Sequence, residues 1–102
     1  MKRVQKIVQD LKDLFFEKKV LEVACGHADF SLAVSNQAGL VVGIDVSLDR
    51  AKRRDLSDTP GNVYFHEMDA TRLGFKNESF DIVAIYNALT HLFRCCMNVF
   101  LR

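Results

Sequence analysis

Proline and glycine are scarce, with one proline and five glycines in 102 residues. That excludes collagen-like and Gly/Pro-rich low-complexity chains. Excess charge of one sign is also lacking. Fourteen Lys and Arg face thirteen Asp and Glu, a formal net charge of +1, so the chain is not mainly a binder of phosphate backbones. No uncharged apolar run reaches the roughly 18–20 residues a membrane span needs. The longest candidate, residues 80–101, is broken by Asp81, Asn87, His91, Arg94 and Asn98. Asp10, Lys12 and Asp13 interrupt the first apolar stretch, which is not the pattern of a secretory signal. The three cysteines, Cys25, Cys95 and Cys96, are odd in number and two are adjacent. That suits neither a disulfide framework nor metal-ligand spacing, and reduced thiols in a cytoplasmic protein are the expectation.

What is present is ordinary globular composition, 49% hydrophobic and 26% charged, which excludes intrinsic disorder. The length fits one domain, residues 1–102, able to bury roughly 60–68% of its unfolded surface.

Val4, Ile7, Val8, Leu11, Leu14 and Phe15 recur at three- and four-residue steps, the stripe of an amphipathic helix that Lys18 and Lys19 would close. Residues 20–25 form a short, mostly apolar run stopping at Gly26, as in a strand buried on both faces. A helix is expected over 30–37, ended by Gly39. A second strand follows over 40–44, halted at Asp45. Ser47 suits the N-cap of a helix from Leu48 to about Asp55. Thr59-Pro60-Gly61-Asn62 is turn chemistry, a third strand begins at Val63, and a fourth runs from Phe80 to Tyr86. Residues 70–79 read as a loop, and Leu89, Leu92, Phe93, Cys96, Met97 and Phe100 make a final helical stripe. The alternation argues for an α/β fold with a parallel sheet.

In such sheets ligands bind beyond the carboxyl ends of the strands. Gly26 follows strand one, where a backbone can approach a ligand closely or simply turn tightly. Asp45 ends strand two, 19 positions later. A carboxylate there can accept from both hydroxyls of a ribose, or cap the next helix. Asp69 lies beyond strand three, either as a third site residue or as a loop carboxylate bonded near Thr71. Each signal alone is weak, but their succession is specific.

Residues 20–26 (Val-Leu-Glu-Val-Ala-Cys-Gly) resemble the first motif of class I S-adenosylmethionine-dependent methyltransferases. Residues 42–47 (Val-Gly-Ile-Asp-Val-Ser) resemble their second, and 62–73 with 79–83 their third and fourth. The small-molecule branch, typified by ubiquinone/menaquinone-biosynthesis enzymes, is the most similar, over about residues 20–93. The resemblance implies a Rossmann-like sheet in strand order 3-2-1-4 and S-adenosylmethionine as cofactor. Glu22 would lie near the methionine amino group, Gly26 beside the methionine moiety with Ala24 in the same turn, and Asp45 on the ribose hydroxyls. Val46 would flank the adenine, Asp69 would accept from its amine with Ala70 alongside, and Asn87 would line the cofactor or substrate side. The acceptor implied is a small molecule. Tyr86-Asn87-Ala88-Leu89 stands in place of the Asn/Asp-Pro-Pro-Tyr of nucleic-acid amino methyltransferases.

The sequence also departs from the family. Ala28 stands where glycine is frequent, and its Cβ is expected to crowd the methionine tail or hold φ below zero. The family sheet has further strands after the fourth, and the sequence reads as unlike the family from about residue 94, so a truncated domain is expected. The edge of strand four would then be apolar and bare, covered by a second copy of the chain or by the last helix. Cofactor binding is therefore expected ahead of turnover.

Of the remaining candidates, His91 could serve as a general base, with a solvent-facing helix histidine the favoured reading. Arg50, Lys52, Arg53 and Arg54 read as a solvated helix face near the C-terminal dipole. Asp45 would repel the 2′-phosphate that such a run could otherwise hold. Cys25 reads as a buried small residue rather than a nucleophile, and no metal spacing is seen. Two alternatives remain: an inactive module acting through association, and a dinucleotide-binding oxidoreductase fragment. The latter is disfavoured because Gly26 is not followed by the further glycines of G-x-G-x-x-G.

Overall fold

Apolar runs bounded by turns build the centre of this protein. The computed structural model describes residues 3–52, 59–69, 72 and 79–86. In chain order the elements are α1 (Arg3–Asp10), α2 (Lys12–Phe15), β1 (Lys19–Val23), α3 (Asp29–Val34), β2 (Leu40–Asp45), α4 (Asp49–Lys52), β3 (Val63–Glu67) and β4 (Ile82–Ala84). The expected loop over 70–79 and the helical stripe from Leu89 to Phe100 fall almost wholly outside the described residues.

The strands form one sheet in the order β3-β2-β1-β4. Every pairing is parallel, with Leu21 opposite Val42 and Val83, and Val42 opposite Tyr64. This is the Rossmann-like strand order expected from the sequence. The central strands are apolar because both of their faces are covered. On one face Val20, Val41 and Val63 meet Val4, Val8, Phe15, Phe30 and Val34 of the helices. On the other, Leu21, Val23, Val42 and Ile44 pack with Phe80, Val83 and Ile85. Each fully buried valine or leucine stabilises the fold by about 1.5–3 kcal/mol.

The N-terminal stripe is only partly realised. The helix breaks at Leu11, whose ψ of +20° ends α1 before α2 begins. Val4, Val8 and Phe15 are buried, whereas Leu11 and Leu14 are exposed, because the break rotates them off the core face. Lys18 and Lys19 do not close a helix: the chain turns through Glu17 at φ +59°, and Lys19 already belongs to β1. α3 is also shorter than expected. It ends at Val34, where the Val34 carbonyl accepts from Gln37 and Ala38, so Gly39 is not its cap. Instead Gly39 donates to the Lys18 carbonyl and passes so close to Glu17 that a Cβ would meet its carbonyl oxygen at 3.0 Å. The turn before β3 is as expected, closed by Val63 N–H to the Pro60 carbonyl at 3.1 Å.

Candidate functional site

The site grows from the carboxyl ends of β1 and β2. Glu22 follows Val20 on the helix-covered face of β1, at a position where the sheet otherwise places apolar side chains. It is fully buried. Its Oε1 accepts two hydrogen bonds from Ser31, from the hydroxyl at 2.7 Å and from the backbone N–H at 3.1 Å. The carboxyl thereby satisfies a first-turn amide of α3 that Ala28, the residue at the cap position, has no side-chain oxygen to satisfy. Gly43 makes the contact possible. It pairs with Glu22 in the sheet, and a Cβ on it would stand 3.0 Å from Ser31 Oγ and 2.9 Å from Phe65 Cδ1.

Among the described residues, Glu22 Oε2 is buried and has no partner. Burial pushes the Glu22 carboxyl from 4.5 up to about 8, against the lowering effect of the Ser31 bonds. Asp29 and Asp45 add to the rise. At neutral pH this group is mostly protonated.

The turn from β1 into α3 is tight. Ala24, Gly26 and Ala28 all take positive φ, at +56°, +56° and +68°. The expectation that Ala28 would hold φ below zero is thus overturned: the turn needs the left-handed region there, and an L-alanine is forced into it at a cost of roughly 1–2 kcal/mol. The loop is tied down by Cys25 N–H to the Ile44 carbonyl at 2.9 Å and by Ala28 N–H to the Cys25 carbonyl at 2.8 Å. Burial raises the Cys25 thiol to about 12, so it is an inert packing group, as its setting in the sequence suggested.

Asp45 closes the site from β2. It is 7% exposed, and its Oδ2 accepts the Gly26 N–H at 2.9 Å. Oδ1 receives only a 3.5 Å contact from the Ser47 N–H, which leaves acceptor capacity on that oxygen. Ser47 caps α4 through its hydroxyl, which accepts the Asp49 N–H at 3.2 Å. The Arg50 side chain is 55% exposed, in line with the reading of a solvated face, and it also reaches an acid. Arg50 is the second residue of α4, and its Nη2 lies 3.5 Å from Asp45 Oδ2. Sequence reasoning missed this contact, although Arg50 stands at five residues from Asp45, within reach across the first turn of a helix.

Of the other candidates, Val46 is 74% exposed at the mouth of the site. Asp69 is exposed beyond β3 and is brought to the same sheet end by the Met68 N–H, which donates to the Asp45 carbonyl at 2.9 Å. Its own carbonyl accepts the Arg72 N–H. Ala70, Asn87 and His91 lie outside the described residues. His27 and His66 are exposed. The structure therefore brings Glu22, Ala24, Gly26, Asp45, Val46 and Asp69 to one end of the sheet, where ligands bind in folds of this type. No helix among the described residues is long and apolar enough to cross a membrane.

A family described as a methyltransferase domain matches residues 20–101. The chain belongs to that family of methyltransferase domains. The match runs through the tail beyond residue 94, which the sequence reading had set apart from the family. Solved structures share the fold. The YcgJ protein of Bacillus subtilis is 23% identical with a TM-score of 0.79, over 94% of this chain and 43% of its own. A candidate methyltransferase from Bacillus halodurans C-125 is 23% identical with a TM-score of 0.74, over 89% and 41%. Phosphoethanolamine N-methyltransferase 1 of Haemonchus contortus, in complex with phosphoethanolamine and S-adenosylhomocysteine, is 20% identical with a TM-score of 0.65, over 79% and 18%. This chain thus spans less than half the length of these proteins. No curated protein matches it.

Proposed function

We propose that this chain is the cofactor-binding part of an S-adenosylmethionine-dependent methyltransferase acting on a small molecule. The observation that carries the reading is the junction of Gly26 and Asp45: a glycine turn and a buried acid, each ending a neighbouring parallel strand, joined by one hydrogen bond.

The residues fit this cofactor. Glu22 Oε2 is a buried polar atom without a partner, suited to a ligand ammonium. Oδ1 of Asp45 keeps acceptor capacity for ribose hydroxyls. Gly26 has no side chain of its own to keep its backbone from the methionine moiety. Val46 would lie against the adenine face and Asp69 at its amine. Ala70 and Asn87 keep the roles that the motifs imply.

When bound, the cofactor supplies a methyl group on a cationic sulfur. The residues of this chain hold and orient it. Glu22 gives up its proton as an ammonium approaches Oε2, so binding at neutral pH releases a proton to solvent. Transfer is an in-line displacement, which asks the protein mainly for positioning and exclusion of water.

The small-molecule acceptor is supported by Tyr86-Asn87-Ala88-Leu89 after β4 and by the resemblance to quinone-biosynthesis enzymes. The fold itself does not select an acceptor. The free Cys25 thiol fits a reducing, cytoplasmic setting. We also propose that β4, the outer strand of the described sheet, is covered by a second copy of this chain or by the helix expected over 89–100. A monomer whose β4 amides exchange freely contradicts that.

Calorimetric titration with S-adenosylhomocysteine, with NAD as control, tests the cofactor reading. Saturable binding of the first ligand, lost in Asp45→Ala, supports it. Preference for NAD, or no binding of either, overturns it.

A further inference from the structure

Arg50 does more than shield an acid. Its guanidinium turns back from α4 over the loop that follows β1. Nη2 stands 3.5 Å from Asp45 Oδ2. The three atoms nearest to the place a Cβ on Gly26 would take are Arg50 Cζ, Nη1 and Nη2, at 3.6–3.7 Å. One cation therefore spans the acid of β2 and the glycine turn of β1.

The contact with Asp45 is long, single and made by a side chain 55% exposed. Pairs of this kind contribute little and exchange readily. Ligand hydroxyls can replace the arginine on Asp45 without a large loss. The cation itself stays near, because α4 begins at Asp49 and holds the backbone of Arg50 beside the site.

If the ribose lies on Asp45 and the methionine moiety lies along Gly26, the sulfur of the cofactor lies between them, since it joins those two parts covalently. That is the interval Arg50 spans. The sulfur is positive in the methyl donor and neutral in the demethylated product. We infer that Arg50 is a charge-selecting residue, lowering the affinity of the site for the sulfonium relative to the thioether. This inference rests on the cofactor reading above.

Other charged groups also stand around the position. Asp45 is the acid it faces directly. Glu22 lies beneath the loop, buried, mostly protonated in the free protein and facing the ligand ammonium in the bound one. Asp29 starts α3 and Asp49 starts α4. Glu67, across the sheet from Asp45, is engaged by the Leu48 N–H at 3.2 Å. These acids stay in place in every variant, so the contribution of Arg50 is read as the difference between wild type and Arg50→Gln.

The test is calorimetry on the full chain with S-adenosylmethionine and S-adenosylhomocysteine, for wild type, Arg50→Gln and Arg50→Lys. The wild type should hold the thioether more tightly. Arg50→Gln should move the ratio of the two dissociation constants toward the sulfonium by about three- to tenfold, the size expected of one part-exposed like charge. Arg50→Lys should keep the wild-type ratio, and high salt should narrow the difference between wild type and Arg50→Gln. Equal weakening of both ligands in Arg50→Gln would overturn the inference, because Arg50 would then grip a part common to both. An unchanged ratio with intact binding would overturn it as well. Absence of thioether binding in the wild type would instead overturn the cofactor reading and the inference with it. Superimposable far-ultraviolet circular dichroism and melting curves establish that the variants are folded.

Discussion

The backbone N–H of Gly26 donates to Oδ2 of Asp45 at 2.9 Å, so the turn leaving β1 and the acid ending β2 are one structural unit. The acid is therefore as much a part of the fold as of the site. Asp45→Ala leaves a buried N–H without an acceptor, which costs about 1–3 kcal/mol. The melting temperature should fall by roughly 4–8 °C for each of those kilocalories. Asp45→Asn keeps an acceptor oxygen for Gly26 and should lose clearly less stability. Thermal melts of the three proteins check the order.

Glu22 makes stability depend on pH in an unusual direction for a carboxyl. Its folded value of about 8 lies above its ordinary 4.5, so the folded chain holds a proton that the unfolded chain releases between those values. This contribution is fully present below about pH 4.5, falls by up to about 1.4 kcal/mol per pH unit as pH rises toward 8, and is flat above. Glu22→Gln keeps an acceptor for Ser31 and does not titrate. The stability of wild type minus that of Glu22→Gln, from urea unfolding, should decline between pH 5 and pH 8. A difference that stays level across the range contradicts the account.

Gly43 is required by contact, not by backbone conformation. A Cβ there meets the Phe65 ring at 2.9 Å and Ser31 Oγ at 3.0 Å. Gly43→Ala should cost about 1–3 kcal/mol through overpacking. It should also loosen the Ser31–Glu22 bonds, so that the Glu22 titration shifts along with the melting temperature. Nuclear magnetic resonance of the Glu22 side-chain carboxyl as a function of pH reads the second effect.

Glu17 is exposed and holds φ +59° between α2 and β1. A left-handed conformation costs a non-glycine residue about 1–2 kcal/mol, while glycine loses about 0.4–1 kcal/mol more in the unfolded state. Glu17→Gly should therefore stabilise the chain by about 0.5 kcal/mol. Ala28→Gly should gain less, since it also removes a buried methyl group. Denaturant midpoints of the two variants give the comparison.

The sheet was legible because its central strands are buried, so residues 20–23, 40–44 and 82–84 read as mostly apolar runs. Gly26 and Asp45 were legible because each ends such a run. Glu22 entered only through the family resemblance, and the structure alone reveals that it bonds Ser31 and leaves an oxygen unpaired. The left-handed turn was hidden, because alanine at positions 24 and 28 carries none of the signal that glycine would. Arg50 was hidden by its basic neighbours: charge periodicity describes a helix face, not which member of the run meets a buried acid. The exposure of Leu11 and Leu14 was hidden too, since a perfect stripe gives no sign of a break within it.

The most direct test of the central claim is to map S-adenosylhomocysteine onto the backbone amide resonances of the full chain. The account predicts that the signals of Gly26, Val46, Ser47 and Asp69, at the carboxyl ends of β1, β2 and β3, shift in a saturable manner. Signals lining the groove of about 600 Å³ between α1 and α3, such as Gln5, Gln9 and Ala33, should stay in place. Shifts confined to that groove, or no shifts at all, would contradict it.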